Sequence, residues 1–212
     1  MNNATRIFTQ TFGTFMALAG IEHGIGEVLQ GNTKPAGVMI LSWPESTFYS
    51  AVGGEPALTL IPNMLVSGIV TIIVSLALLA WVLLFVQRKH GGLIMVLISL
   101  ALLLVGGGIF PPILAMLAAI AGGKINSPLT WWRKHLSIGC RRLMSRLWPL
   151  FYWGGILTFL AMLPGLSILS YFFGIDGSVF ILVILCCMLL SLALAILTGF
   201  ARDSLVERTS EE

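Results

Sequence analysis

Five long apolar runs constrain this chain more than any other feature of its sequence. Each is long enough to cross the hydrocarbon core of a bilayer, for which about 20 residues are needed. Since lipid offers the backbone no hydrogen-bond partner, each run should be helical or shielded by other helices. Charged residues make up only 10% of the chain, against about 25% in soluble domains. The runs are Ile7–Gln30, Leu58–Gln87, Gly91–Gly123, Leu147–Ile175 and Gly177–Ala201.

These runs predict an all-α fold, a polytopic integral membrane helical bundle in a single membrane domain that spans 1–212. We expect four to six membrane segments, one of them broken or re-entrant, and a basic amphipathic helix at the membrane interface. The expected segments are about 7–29, 60–87, 92–109 with 111–122, 149–173 and 178–200, with an outer loop at 31–58 and the interfacial helix at 128–147.

The first run has two interpretations. Ala17-Leu18-Ala19 has the small-x-small form of a signal-peptide cleavage site. Against cleavage, a single Arg6 precedes the run, and several threonines and a glutamine interrupt its apolar character. We favour a retained transmembrane helix, and a cleaved signal at residues 1–19 is the alternative.

The third run contains a turn signal near its middle. Three glycines and two prolines stand together in the sequence VGGGIFPP, at 105–112. Glycine ends a helix at low cost, and Pro111 can begin another because proline has no amide hydrogen to leave unpaired. We therefore expect a re-entrant hairpin. The alternative is one long helix kinked at Pro111-Pro112.

The distribution of Lys and Arg also favours the hairpin. Basic residues concentrate beside the cytoplasmic ends of membrane segments. If the third run returns, Lys34 alone of the twelve basic residues lies outside, whereas a single crossing leaves three outside. The sequence thus predicts integration in the cell (plasma) membrane, with the basic loop 124–146 cytoplasmic.

That basic loop has the strongest helical periodicity in the chain. Ser127 is a suitable N-cap, Pro128 fits the first helical turn, and Pro149 should close the segment. A basic amphipathic helix with tryptophans is typical of the headgroup region, so the expected partner is the lipid bilayer, through anionic headgroups. Binding of nucleic acid or of an acidic protein is the disfavoured alternative. The basic residues are Arg133, Lys134, Arg141, Arg142 and Arg146.

Three ionisable residues at the end of the first run are the clearest candidates for a polar or ion site. On a helical projection His23 and Glu27 share one flank, beside a glycine stripe that includes Gly20 and Gly24, while Glu22 lies opposite. His23 and Glu27 are i,i+4 neighbours and can hydrogen-bond one another. In the alternative interpretation, all three are solvated in the outer interface. Ionisable groups inside a membrane are costly and usually functional.

A polar stripe in the second run is the expected counterpart of these residues. Asn63, Ser67, Thr71 and Ser75 recur every four residues. Such residues often mediate helix contacts or bond back to their own backbone. The functional interpretation is a wetted path whose mouth includes Asn63, His23 and Glu27, with Ser67 below it. Glu45 and Glu55 are expected to be solvated loop charges, and a part in ion entry is the disfavoured alternative.

Enzyme and cofactor patterns are not found in the sequence. It contains none of the common hydrolase, nucleotide-binding or zinc-protease motifs. Three scattered histidines and three cysteines without CxxC spacing predict no metal site and no cofactor. We expect a small transport or ion-conducting protein, or a subunit of one. One alternative is a non-catalytic accessory or scaffold protein whose partners are other membrane subunits. A less favoured alternative is an intramembrane enzyme with a Glu–His site.

Overall fold

The computed structural model describes residues 1–174 and 178–206, with side chains described in the second range from residue 180 onward. The described residues are mainly helical, with one small sheet. Its elements are α1 (Asn3–Leu29), β1 (Met39–Leu41), a 3₁₀ turn (Ser50–Val52), β2 (Pro56–Leu58), α2 (Met64–Ala80), a π turn (Trp81–Phe85), α3 (Gly91–Val105), α4 (Phe110–Gly122), α5 (Thr130–His135), α6 (Ile138–Leu160), a second π turn (Ala161–Gly165), α7 (Leu166–Phe173) and α8 (Ser178–Asp203).

Three helical stretches in the described residues are long and apolar enough to cross a membrane. They are Met64–Phe85, Ile138–Phe173 and Phe180–Asp203. The second stretch continues through the π turn that contains Pro164. A proline removes one backbone hydrogen bond, and a π turn accommodates that loss without ending the helix.

The helix α1 lies at the centre of the bundle, packed against α2, α4 and α8. Its closest approach to α2 is through glycines: a Cβ on Gly24 would stand 2.9 Å from the carbonyl oxygen of Gly68. Small residues of this kind let two helix backbones come close together. Nearer the start of α1, Phe8, Phe12 and Met16 are buried in the main apolar core.

Helices α3 and α4 form an antiparallel hairpin. A Cβ on Gly92, at the start of α3, would meet the backbone of Ala119 and Gly123 at the end of α4. The chain reverses at Gly106–Gly108, which we call the glycine turn, where Gly106 and Gly108 have φ of 117° and 80°. The run 92–122 therefore turns back, and it is not a single kinked helix.

The loop that precedes α3 and the loop that follows α4 lie together. The side chain of Asn126 donates a hydrogen bond to the carbonyl of Gln87 (2.7 Å). The amide of Asn2 donates to the carbonyl of Ile125 (2.8 Å). The N-terminus, the short basic loop with Arg88 and Lys89, and the basic loop 124–146 thus share one end of the bundle, which we call the basic end.

Residues 31–62 cover the opposite end, and we call them the cap. The strands β1 and β2 pair antiparallel, with Ile40 opposite Ala57. Ala57, Ile40 and Met64 form a small second core. The amide of Leu60 donates to the carbonyl of Leu104 (3.0 Å), so the cap is tied to the end of α3 beside the glycine turn.

The prediction of one continuous interfacial helix at 128–147 is wrong. The segment is divided between α5 and α6, with an extended residue, Leu136, between them. Ser137 begins the new helix because its hydroxyl accepts a hydrogen bond from the amide of Cys140 (3.3 Å). Pro149 lies inside α6 and does not close it. The amphipathic period continues across Ser137, so periodicity alone could not reveal the break.

A clamp at the basic end joins the two ends of the chain. The side chain of Asn2 donates to backbone carbonyls at 124 and 127, so it does not cap α1. The carboxylate of Asp203 takes that role: it accepts from the amides of Ala4 (2.9 Å) and Thr5 (2.8 Å) and from the Thr5 hydroxyl (2.6 Å). These are first-turn amides, which have no partner inside the helix.

Replacing Asp203 by Ala should therefore destabilise the whole bundle. Leaving buried donors unpaired costs about 1–3 kcal/mol, and Asp203→Asn should lose less because its amide oxygen can still accept. Unfolding in mixed micelles by added SDS measures the difference, with Glu45→Ala in the exposed part of the cap as control. Equal stability of Asp203→Ala and wild type would show that the clamp contributes nothing.

Candidate functional site

A cluster of three ionisable side chains lies under the cap, and we call Glu22, His23 and Glu55 the acid–histidine cluster. The His23 Nδ1 atom is 3.2 Å from a Glu22 carboxylate oxygen and 3.4 Å from a Glu55 carboxylate oxygen. His23 and Glu55 are only 4% and 6% exposed. Among the described residues, this is the group whose possible metal-ligand atoms all come within 4.8 Å of one another.

The cap delivers Glu55 to this cluster. Glu55 follows two glycines and has a left-handed backbone, with φ of 55°. Backbone hydrogen bonds hold the turn from both sides: the amide of Ser42 donates to the carbonyl of Glu55 (3.0 Å), and that of Trp43 donates to Gly54 (2.9 Å). The expectation that Glu55 is a solvated loop charge is wrong. Only the Gly-Gly-Glu-Pro turn signal pointed to an ordered position, and it did not indicate the partner.

His23 faces different partners from those expected. Its Nδ1 atom also lies 3.0 Å from the carbonyl oxygen of Ala19, one turn earlier in α1. Three acceptors therefore surround Nδ1, which favours a proton on that nitrogen. The predicted contact with Glu27 is not among the hydrogen bonds of the described chain, and Glu22, expected on the opposite side, is the acid that reaches the ring.

The glycine turn covers the other edge of the His23 ring. A Cβ on Gly108 would stand 2.5 Å from His23 Nε2. A Cβ on Gly106 would likewise collide with the carboxylate of Glu27. The GGG sequence is thus needed for two reasons, the positive φ angles of Gly106 and Gly108 and the close approach of the backbone to two ionisable side chains.

Glu27 is fully buried beside the polar stripe of α2. Within the described residues, neither carboxylate oxygen has a hydrogen-bond partner of good geometry. The Ser67 hydroxyl faces this carboxyl group. That hydroxyl donates to the carbonyl of Val105 (2.8 Å) and pairs with the Thr59 hydroxyl (2.7 Å). Ser67 therefore lies beside Glu27, through contacts that also hold α3.

Asn63 does not line the site. Its side chain caps α2 by accepting from the amide of Val66 (3.0 Å), and it donates to the side chain of Asn32. This is the ordinary role of an asparagine at the start of a helix. The prediction that Asn63 forms part of a polar mouth is wrong, and the sequence signal for a cap was the proline that precedes it.

The polar stripe of α2 ends near the middle of the bundle. Thr71 donates to the carbonyl of Val105 (2.6 Å), and Ser75 is buried against Gly20. Closer to the basic end, Gly13 packs against Val82 and Met95. The half of the core nearest the basic end is mainly apolar in the part of the chain that the structure describes, and its buried polar side chains bond within the protein, among them Thr5, Thr9, Thr198 and Asp203.

Two cavities flank the acid–histidine cluster, and His23, Glu55 and Leu163 line both. The first, of about 290 Å³, reaches Phe110 at the start of α4. The second, of about 340 Å³, also contains Glu22. We call it the aromatic cavity because Phe15, Phe48, Tyr49 and Phe159 form part of its wall.

The electrostatics of the cap favour bound protons. Burial, together with a hydrogen bond and charge repulsion from the neighbouring Glu22, raises the pKa of Glu55 from its ordinary value of 4.5 to about 9. Burial and the same two carboxyl groups also raise the pKa of Tyr49. At neutral pH, Glu55 therefore holds its proton.

The basic residues lie at the other end of the bundle and do not contribute to this site. Arg133 donates to the carbonyl of Val206 (3.0 Å), and Arg141 donates to that of Ser204 (3.1 Å). Both side chains thus bind carbonyl groups that follow α8, which is a favourable place for a cation. Lys134, Arg142 and Arg146 are exposed.

The chain matches no protein-family model, no curated protein and no solved structure.

Replacing Gly108 by Ala should destabilise the protein by more than the cost of placing alanine in a left-handed backbone. Gly53 is the matched control, because its φ is 67° but a Cβ there would meet nothing. Gly53→Ala should cost about 1–2 kcal/mol for the left-handed backbone. Gly108→Ala should cost about 1–3 kcal/mol more, from overpacking against His23.

Unfolding in detergent micelles measures both variants. Equal losses of stability in Gly108→Ala and Gly53→Ala would mean that the turn does not press on the His23 ring.

Proposed function

We propose that this chain is a multi-pass membrane protein in which α1, α2, the α6–α7 segment and α8 cross the bilayer and the α3–α4 hairpin re-enters it. The length of α1 supports its role, since 27 residues rise about 40 Å. Its low hydropathy is offset by burial against three other helices. The hairpin arms of 15 and 13 residues are shorter than the roughly 20 residues of a full span.

In this proposal the basic end faces the cytoplasm of the cell and the cap lies outside. The positive-inside bias supports this orientation, because both basic loops share one end. The exposed side chains of Lys134, Arg142 and Arg146 are placed to bind anionic headgroups, at about 1 kcal/mol each. Arg133 and Arg141 contribute less there because they bind carbonyl groups of the chain itself.

Cysteine labelling tests this orientation. Cys140 is exposed in the basic loop, so in a Cys186→Ser/Cys187→Ser background an impermeant maleimide should react with it only after the cells are opened. Thr47→Cys in the exposed part of the cap is the matched control and should react in intact cells. Labelling of Cys140 in intact cells would reverse the orientation.

We further propose that the protein is a proton-linked transporter, or a subunit of one, whose cation site is the acid–histidine cluster. The observation that carries this proposal is charge balance. The carboxyl groups of Glu22 and Glu55 share one imidazole, that of His23. In the described residues, neither carboxyl group forms an ion pair with a residue outside the cluster. Buried carboxylates without a basic partner must bind protons or another cation.

The apolar half of the core near the basic end supports a carrier and not an open pore. A conducting pore needs a polar or wetted lining, and the polar stripe stops at Ser75. Transport would then require a second conformation in which the cluster is reached from the basic end. The same dry half-core favours a second candidate function, a non-transporting accessory subunit that uses its polar groups for helix packing.

Proton flux distinguishes these two functions. Purified protein is reconstituted in liposomes that contain a pH-sensitive dye. An imposed potential should then change the internal pH of the liposomes. Glu22→Gln/Glu55→Gln should reduce the rate at least about tenfold, because both proton acceptors are neutralised. Glu45→Gln, an exposed acid of the same cap, should keep the wild-type rate.

The expected rates are those of a carrier, without single-channel currents. A wild-type rate equal to that of empty liposomes, for protein shown to be folded, would favour the accessory function. A flux that survives in Glu22→Gln/Glu55→Gln would remove the cluster from the mechanism.

A further inference from the structure

The aromatic cavity has the form of a ligand site that opens towards lipid. It lies between α1, the cap and the second π turn, and its volume is about 340 Å³. Leu18 and Leu160 line it and are themselves 50% and 42% exposed, so its rim is on the surface that the bilayer covers in the proposed topology. Concave apolar sites with a few convergent polar groups are typical of small-molecule binding.

Its polar groups are the two acids of the cluster. In the described residues, the one cationic partner of these acids is the His23 imidazole, whose Nδ1 lies 3.4 Å from Glu55 Oε2, and both acids line the cavity. Glu55 is 94% buried, as its exposure of 6% shows. An uncharged apolar occupant, such as an acyl chain, would leave the two buried acids to share that one imidazole, which is unfavourable. A cationic occupant would pair them.

The wall supplies a second feature that favours a cation. Phe15 and Phe159 stack with ring centroids 5.2 Å apart, and Phe48 meets Tyr49 edge to face at 5.0 Å. All four line the cavity. Aromatic faces attract cations, most strongly where water is excluded, and they bind quaternary ammonium groups in particular.

A metal ion fits the same acids less well. Metal binding needs the lone pair of an imidazole nitrogen, but three acceptor oxygens surround His23 Nδ1, the nitrogen that faces both carboxylates. They favour a proton at that position. The cavity volume is also far larger than a single ion requires, and its lining is mainly apolar.

We propose that the aromatic cavity binds an amphiphilic organic cation, an ammonium group on an apolar body, with the charge against Glu22 and Glu55. The apolar body lies between Phe15, Phe48 and Phe159 and enters from the lipid side. This inference rests on the proposed function, in which it names the cargo: the ammonium ion takes the place of the proton that Glu55 holds, so binding releases a proton.

Calorimetry in detergent micelles tests the proposal, with benzyltrimethylammonium as the probe and its uncharged isostere neopentylbenzene as the matched ligand. We expect the ammonium to bind at least about tenfold more tightly than the isostere, because the two differ only in charge. Binding in two buffers of different ionisation enthalpy should show proton release. Equal affinity for both ligands would overturn the proposal.

Variants locate the binding site. Glu22→Gln should weaken ammonium binding at least about tenfold, and Phe48→Leu several-fold, since leucine keeps the apolar contact but loses the aromatic face. Glu45→Gln should bind like wild type. Wild-type affinity in both Glu22→Gln and Phe48→Leu would overturn the proposal, and so would tight binding of Zn²⁺ with no binding of the ammonium.

The binding and flux experiments fail independently. Ammonium binding without proton flux, in liposomes across which an ammonium gradient is also imposed, would keep the ligand site and reject the transport function. Proton flux that depends on the cluster, without ammonium binding, would keep the transport function and reject this cargo.

Discussion

The close contact between α1 and α2 at Gly24 and Gly68 is the constraint on which the rest of the bundle depends. A Cβ on Gly68 would stand 2.5 Å from the Gly24 carbonyl oxygen, so neither position tolerates a side chain without separation of the helices. This contact brings Glu27 beside Ser67 and leaves room for the glycine turn above both helices. The same crossing leaves His23 facing the cap, where Glu55 reaches it.

Burial of ionisable groups shapes the cap end of the molecule. Isolated charges in an apolar interior are strongly unfavourable, and here the acids are grouped around one imidazole and one tyrosine. The glycine turn and the cap hairpin exclude water from this group, which keeps Glu55 protonated at neutral pH. A site that holds protons in this way is suited to exchanging them for another cation, and the aromatic cavity beside it is large enough for an organic one.

The sequence predicted much of the helical architecture and part of the site. The GGG and PP signals predicted the reversal of the third run, since turn chemistry acts over a few residues. His23 and Glu27 are buried between helices and are not solvated at an interface. Glu55 was missed because its partners are more than 30 positions away, and no periodic pattern links a loop acid to a helix. Asn63 was misassigned because a stripe of polar residues does not reveal which member is used as a cap.

Sequence alone determined that apolar runs form helices and where the chain turns, because hydropathy, period and turn propensity are properties of neighbouring residues. It also determined which end carries the positive charge. Only the tertiary structure decided which acids meet His23, that Asp203 caps α1, and that Ser137 divides the basic segment into two helices. These depend on contacts between residues distant in the chain, or on a local competition between capping and helix continuation that the packed structure resolves.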